Sequence, residues 1–178
     1  MNKNETRILS IIGSSHQNGN TTLVTKAFAE ISGSEVVDLG EKDISYYDYD
    51  HKNHKDDFLP LIEDFINHYD TLVIVTPIYW YTMSAEVKTF LDRISDLLTI
   101  EKDIGRQLRG KSMALISQTE GDYYHEWFAE PISLTAKYLG MDFKGHVHVS
   151  IENGVVSDEY INRLNHLSIQ LVSPYDQW

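Results

Sequence analysis

Short apolar runs alternate along this chain with longer stretches in which apolar residues return every three or four positions. The runs have the length of buried strands, and the repeat is that of helices that bury one face. The first run, Ile8–Ile12, ends at Gly13 and is followed by SSHQNGNTT, after which Leu23, Val24, Ala27, Phe28 and Ile31 fall on one helical face. Glu35–Asp38 reads as a second, short strand between Gly33 and Gly40. A polar, Tyr-rich connection over residues 39–56 follows, longer than most loops of compact domains and so a candidate functional segment. Asp57 is placed to cap the next helix, which tolerates Pro60 in its first turn and buries Phe58, Leu61, Ile62, Phe65 and Ile66.

The third strand is predicted at residues 72–76. After PIYWYTM, Ser84 stands as an N-cap, and Val87, Phe90, Leu91, Ile94, Leu97 and Leu98 predict one long helix. Gly105 and Gly110 lead to a fourth strand at 112–117, and QTEGDYY reads as a loop. A helix over 126–139, with Pro131 near its start, stops at Gly140. Residues 143–150 put Phe143, Gly145, Val147 and Val149 on one face and Lys144, His146, His148 and Ser150 on the other, the alternation of a half-exposed edge strand. The last helix, 158–172, carries Ile161, Leu164, Leu167 and Leu171 inward and leads into a short tail.

Continuous apolar strands separated by helices are the pattern of a parallel sheet covered on both faces. With right-handed crossovers, five such units in one domain over residues 1–178 predict an α/β fold: a flavodoxin-like three-layer sandwich with a five-stranded parallel sheet of order 2-1-3-4-5. Ligands of such sheets bind beyond the carboxyl ends of the strands where the order reverses, here between strands one and three.

Composition narrows the chemistry. The chain has no cysteine, which removes thiolate zinc sites, iron–sulfur clusters and thiol nucleophiles. Fifteen Lys and Arg against 27 Asp and Glu leave a net charge of −12, which repels a nucleic-acid backbone. The N-terminal segment lacks the long apolar region of a signal peptide, and no run approaches the roughly 20 apolar residues of a membrane span. A soluble, cytoplasmic protein without membrane or nucleic-acid partners is expected.

After strand one, small and hydroxylated residues with two glycines precede a helix N-terminus. Free N–H groups and the helix dipole suit a phosphate there, with Ser14, Asn20, Thr21 and Thr22 as side-chain donors. An ordinary turn capped by Asn20 or Thr21 has the same composition. The Lys of a Walker A loop and the GxGxxG spacing are both missing, so neither a nucleoside triphosphate nor tightly bound NAD is favoured. After strand three, Tyr79, Trp80 and Tyr81 stand together at the predicted cleft mouth, where a planar heteroaromatic ring can lie against them; each is equally suited to packing.

GSSHQNGNTTLV, TPIYWYTMSAEVKTFLDRISDLL and GRQLRGKSMALIS, in this order and spacing, resemble the flavodoxin-like NAD(P)H-dependent FMN reductases over most of the chain. The resemblance implies a noncovalent FMN whose phosphate rests on Ser14, His16, Gly19, Asn20, Thr21 and Thr22, and whose ring lies against Pro77, Ile78, Tyr79 and Trp80. Gln118, Thr119, Glu120, Gly121 and Asp122 would close the other edge. His16 stands where members often carry Arg, which weakens the hold on phosphate. Glu120 and Asp122 place carboxylates near the ring, in a loop that relatives often fill with glycine.

In the implied activity, the flavin takes a hydride from NADH or NADPH and passes it to a quinone, azo, nitro or flavin acceptor, and no side chain is assigned as catalytic. A non-enzymatic flavodoxin-type electron carrier, suited by the −12 charge to a basic partner, is the alternative; a scaffold that has lost the cofactor is a third. Tyr46, Tyr47, Tyr49 and Tyr124 are candidate walls of the substrate site, or loop packing. Arg106, Arg109 and Lys111 are candidates to meet a 2′-phosphate, or an exposed basic patch. His146 and His148 share a strand face and His51 and His54 lie among aspartates, but neither set makes a recognisable metal site, and no metal is expected. The family resemblance implies a homodimer, with contacts around residues 92–98 and in the Tyr-rich loop.

Overall fold

The structure, a computed structural model, describes residues 6–121 and 123–172. Five parallel strands, β1 (Ile8–Ile12), β2 (Glu35–Asp38), β3 (Thr71–Pro77), β4 (Ser112–Glu120) and β5 (Asp142–Ile151), form one sheet of order β2-β1-β3-β4-β5. All five residues of β1 and all seven of β3 are buried, as a central strand covered on both faces requires.

Alternate residues of the three central strands, β1, β3 and β4, feed two separate cores. Leu9, Ile11, Leu72, Ile74, Met113 and Leu115 pack with α2 (Phe58–His68), α3 (Ala85–Arg93) and α6 (Glu130–Leu139). Ile8, Ile12, Val73, Val75, Ala114 and Ile116 pack with α1 (Asn20–Ser32) and α7 (Asp158–Val172). Successive side chains of a strand point to opposite faces, so each of these three strands serves both layers. The predicted fold class and strand order are therefore those observed. Among the described residues, no helix is long and apolar enough to cross a membrane.

Several boundaries differ from the sequence reading. The long helix predicted up to Leu98 stops at Arg93 and resumes as the short turns α4 (Asp96–Thr99) and α5 (Lys102–Gly105). Ile94 and Ser95, between α3 and α4, keep helical dihedrals but bond three residues back, to Leu91 and Asp92, and this interruption lies beside the anchored Arg93. Its side chain is buried over the ring of Phe58, 4.9 Å from the centroid, with Nε donating to Asp96 Oδ2 (2.8 Å) and Nη1 to Asp56 and to the carbonyl of Ser45 (3.1 Å). Burial opposes ionisation of Asp56, but Arg93 and the N–H groups of Ser45 and Phe58 outweigh it and hold the carboxyl below its usual range. His51 Nδ1 lies 3.0 Å from Asp96 Oδ1, so the Tyr-rich connection is pinned to the α3–α4 corner.

Asp57 occupies the N-cap of α2, yet its side chain caps nothing: it accepts from the N–H of Asp43 (2.8 Å), while Asp56 accepts from that of Phe58 (3.1 Å). Strand β4 runs on through Gln118, Thr119 and Glu120, which the sequence reading placed in a loop. The helix predicted from residue 126 begins as a 3₁₀ turn, Glu126–Ala129, and becomes α-helical at Glu130; Pro131 sits in its first turn and Gly140 ends it with φ 74°. In β5 the simple alternation fails. The register with β4 shifts between Met113 and Leu115, where Phe143 faces Met113 but His146 faces Leu115. The extra residue sends Phe143 to one core and Val147 and Val149 to the other.

Candidate functional site

Where the sheet order reverses, the loops after β1, β3 and β4 enclose a cleft of about 420 Å³. It is lined by Ser14, His16, Gly19, Asn20 and Thr21 from the first loop and by Pro77, Ile78 and Tyr79 from the second. Gln118, Thr119, Glu120 and Tyr123 complete it.

The first loop is built around two close approaches. A Cβ on Gly13 would stand 2.6 Å from Val87 Cγ2, so α3 packs directly against the backbone there. A Cβ on Gly19 would stand 2.7 Å from His16 Nδ1. Gly19 is the N-cap of α1, and no side chain caps this helix, so its first N–H groups have no side-chain partner at the cleft. Two of the expected phosphate donors are otherwise engaged. Thr21 Oγ1 donates to Gln118 Oε1 (3.2 Å) in a buried bond that joins the first and third loops, and Thr22 Oγ1 donates to the carbonyl of Gln17 (2.6 Å). The N–H of His16 donates to Ser14 Oγ (3.3 Å).

The second loop is a tight hairpin. Tyr79 and Thr82 exchange both backbone bonds (2.9 and 3.1 Å), and the two residues between them, Trp80 and Tyr81, have φ of 48° and 71°. Consecutive left-handed residues make a type I′ turn, normally the place of Asn-Gly, and two aromatic side chains there carry backbone strain. The turn raises Trp80 clear of the surface, 92% exposed, so it does not line the cleft. Tyr81 stands against Tyr123, ring centroids 5.4 Å apart, and Tyr123 against His125, also 5.4 Å. The Tyr79 hydroxyl is 3.1 Å from Ser15 Oγ, and the N–H of Ile78 donates to the carbonyl of Gln118 (2.9 Å), closing the contacts among all three loops.

The structure thus brings eleven of the fourteen cofactor-site candidates to one cleft and leaves Thr22, Trp80 and Gly121 outside its lining. Gly121, with φ 82°, turns the chain after β4. Asp122 lies outside the described residues. Tyr123, which the sequence reading passed over, lines the cleft, whereas Tyr124 faces a second pocket, of about 350 Å³, with His146, Val147, His148, Tyr160 and Arg163. Tyr46 and Tyr49 are exposed on the pinned connection, 79% and 87%. Lys111 precedes β4, at the end of the sheet opposite the cleft, and donates to the carbonyl of Tyr69 (2.5 Å). Arg106 and Arg109 border another depression, beside Leu97 and Tyr138. None of these three cations is placed to meet a nucleotide at the cleft. Among the described residues, no group of three or more His, Asp or Glu is arranged to hold a metal ion.

A doubly wound sheet with an uncapped helix N-terminus at its switch-point cleft defines a flavodoxin-like α/β protein. The sequence pattern of the NADPH-dependent FMN reductases matches residues 6–155, and the chain belongs to that family. No curated protein matches the sequence. Among solved structures, the fold is similar to the Trp repressor binding protein of Bacillus subtilis, at TM-score 0.72 and 21% identity over 90% of this chain and 97% of that one. It is similar as well to an FMN-dependent NADH-azoreductase of Bacillus anthracis solved in complex with FMN, at TM-score 0.67 and 14% identity over 94% and 100% of the two chains. An NADH:FMN oxidoreductase in its apo form gives TM-score 0.64 and 18% identity, over 94% and 88%.

Proposed function

We propose that this reductase-family chain binds FMN in the switch-point cleft and uses it to carry reducing equivalents from NADH or NADPH to a small flat acceptor, a quinone, azo or nitro compound or free flavin. The observation that carries this reading is the composition of the cleft along its length. At one end are Gly19, Asn20 and Thr21, on a helix N-terminus without a side-chain cap; at the other are Pro77, Ile78 and Tyr79. A phosphate monoester suits the first end, where N–H groups and the helix dipole favour an anion. A flat ring suits the second, with apolar and aromatic side chains beside it and the adjoining end of β4, Gln118 and Thr119, next to them.

The parts of FMN therefore fit the residues present. Ser14, His16 and the first turn of α1 would hold its phosphate, and Pro77 to Tyr79 with Gln118 and Thr119 would flank its ring. Bound FMN supplies two-electron chemistry between a nicotinamide and a second acceptor. The chain's own task is to position it. The Thr21–Gln118 and Ser15–Tyr79 bonds hold the three loops at fixed spacing, and Glu120 sets a carboxylate at the rim of the cleft.

The test is an absorption spectrum of the protein after FMN is added and the excess removed, repeated anaerobically with NADH and with NADPH. Retained flavin bands that bleach with a pyridine nucleotide are expected. Bleaching with dithionite alone would instead favour an electron carrier, and loss of all flavin on removal of the excess would overturn cofactor binding.

A further inference from the structure

Behind the cleft, a row of polar side chains crosses from β4 to β5. Thr119 Oγ1 lies 3.0 Å from His148 Nε2, and His148 Nδ1 lies 2.8 Å from Ser117 Oγ. Ser117 Oγ is also 2.7 Å from His146 Nε2, and His146 Nδ1 is 3.0 Å from the hydroxyl of Tyr124. One end, Thr119, lines the cleft; the other, Tyr124, lines the second pocket. Ser117 and Thr119 are buried, and the ring of Tyr124 is stacked on that of His148 at 4.6 Å and 13°.

The direction of every bond follows from one assignment. Thr119 Oγ1 donates to the carbonyl of Gly121 (2.7 Å), so it accepts from His148 Nε2–H. A neutral imidazole has one N–H, so His148 Nδ1 accepts from the Ser117 hydroxyl. Ser117, having given its proton, accepts from His146 Nε2–H, and His146 Nδ1 accepts from the Tyr124 hydroxyl. The donors from Tyr124 to His148 then all point toward the cleft, and the row ends with the Thr119 hydroxyl resting on the carbonyl of Gly121.

We propose that Tyr124, His146, Ser117, His148 and Thr119 form a proton relay from the β5-edge pocket to the cleft. This rests on the reading of the cleft as a flavin redox site. Oxidation of NADH or NADPH delivers a hydride, whereas a quinone reduced to its hydroquinone takes up two electrons and two protons. Each turnover therefore draws one further proton from water. In the relay, the Tyr124 O–H breaks as an N–H forms on His146 Nδ1. The Nε2–H of His146 passes to Ser117 as the serine proton passes to His148 Nδ1. The Nε2–H of His148 passes to Thr119, whose hydroxyl turns from the carbonyl of Gly121 and gives its own proton to the reduced acceptor in the cleft. Water in the second pocket restores the Tyr124 proton. Both imidazoles line that pocket and return to the Nε2–H form by exchange there.

Charge at the outer end of the row supports neutral groups there. Burial, with His148 and Arg163 nearby, pushes the His146 imidazole down to about 4. Burial, aided by Glu126 and opposed by Arg163, raises the Tyr124 phenol. Neither group is ionised near neutrality, so the proton enters the row at Tyr124 and His146 without a fixed charge on either.

The experiment pairs Ser117→Ala, which cuts the row between the two imidazoles, with Tyr124→Phe, which removes the outer hydroxyl and keeps the stacked ring. Imidazole ¹⁵N spectra of the flavin-free wild-type protein at pH 7 are expected to show His146 and His148 both neutral and Nε2-protonated; an Nδ1–H form or a protonated ring overturns the relay. With FMN bound, wild-type turnover measured in mixtures of light and heavy water is expected to show several protons in flight. Ser117→Ala should turn over at least about tenfold more slowly and lose that multi-proton signature. Flavin affinity and the rate of flavin bleaching by NADH should stay unchanged. Retained flavin with wild-type turnover and isotope response in Ser117→Ala overturns the relay alone; failure of the wild type to retain flavin overturns both the relay and the cofactor reading. Tyr124→Phe should show the same loss of signature to a smaller degree, and it decides the question if Ser117→Ala does not fold.

Discussion

Ser84 shows how much one hydroxyl can join. Its Oγ donates to the carbonyl of Gly13 (2.8 Å) and accepts from the N–H of Val87 (3.3 Å), while its own N–H donates to Thr76 Oγ1 (3.0 Å). The capping role was legible, because a serine stood just before the apolar stripe of a helix. The bond to Gly13, 71 residues away in sequence, was not. It ties the first loop of the cleft to the helix that follows the second. We therefore predict that Ser84→Ala costs about 1–2 kcal/mol in urea unfolding and weakens FMN retention in the same protein. A loss of stability without any change in FMN binding would confine Ser84 to capping. Thr21 carries the complementary lesson: it was read as a phosphate donor, yet its hydroxyl is spent on Gln118. A side chain's type tells what it can bond, and only its neighbours tell what it does bond.

At the scale of elements, β5 departs most from its sequence pattern. Apolar alternation through 143–150 placed Phe143, Val147 and Val149 together, but the extra residue in the strand divides them between the two cores. The same shift turns His146 and His148 toward Ser117, and without it the polar row could not form. Gly145 is the residue that permits it. Its φ is +120°, a region that side chains rarely adopt, although a Cβ there would meet nothing within 4 Å. The effect of Gly145→Ala is thus on the backbone alone. We predict a loss of roughly 1–3 kcal/mol by urea unfolding, with altered ¹⁵N shifts at both imidazoles; an unperturbed variant would show that the bulge does not need glycine. After α3, apolar spacing extends to Leu98, but the α-helical bonding is interrupted at Ile94 and Ser95, beside the buried Arg93 that Asp56 and Asp96 hold.

For the whole molecule, the net charge of −12 makes acid the informative direction. Carboxylates titrate there in both states, but His146 adds a distinct component. Burial lowers its pKa from 6.5 to about 4, so the unfolded chain binds this proton more readily than the folded one. The stabilisation it provides is complete above pH 6.5 and is lost as the pH falls from 6.5 to about 4. We predict that between pH 7 and pH 4 the wild type loses on the order of 2–3 kcal/mol more than His146→Asn does, by urea midpoint at matched ionic strength. Equal losses would mean that the imidazole takes up its proton in the folded state as easily as in the unfolded one.

The chain's own pattern was sufficient for the class of fold, the strand order and the place of the cleft. Continuous apolar strands require cover on both faces, and right-handed crossovers leave few ways to provide it. Most of the residues that line the cleft were named by the resemblance to the reductase family, and they stand at or just beyond the carboxyl ends of strands one, three and four. The tertiary structure alone decided which of them face inward. Trp80 is lifted away by a strained turn, Tyr123 is brought in, and Tyr124 is turned to a second pocket. It alone decided that Lys111 belongs to the far end of the sheet and that two histidines, a serine, a threonine and a tyrosine make one row. Local spacing sets which face a residue occupies within its own element. The register between strands and the packing between layers set what that face meets, and these are decided by contacts among residues far apart in the chain.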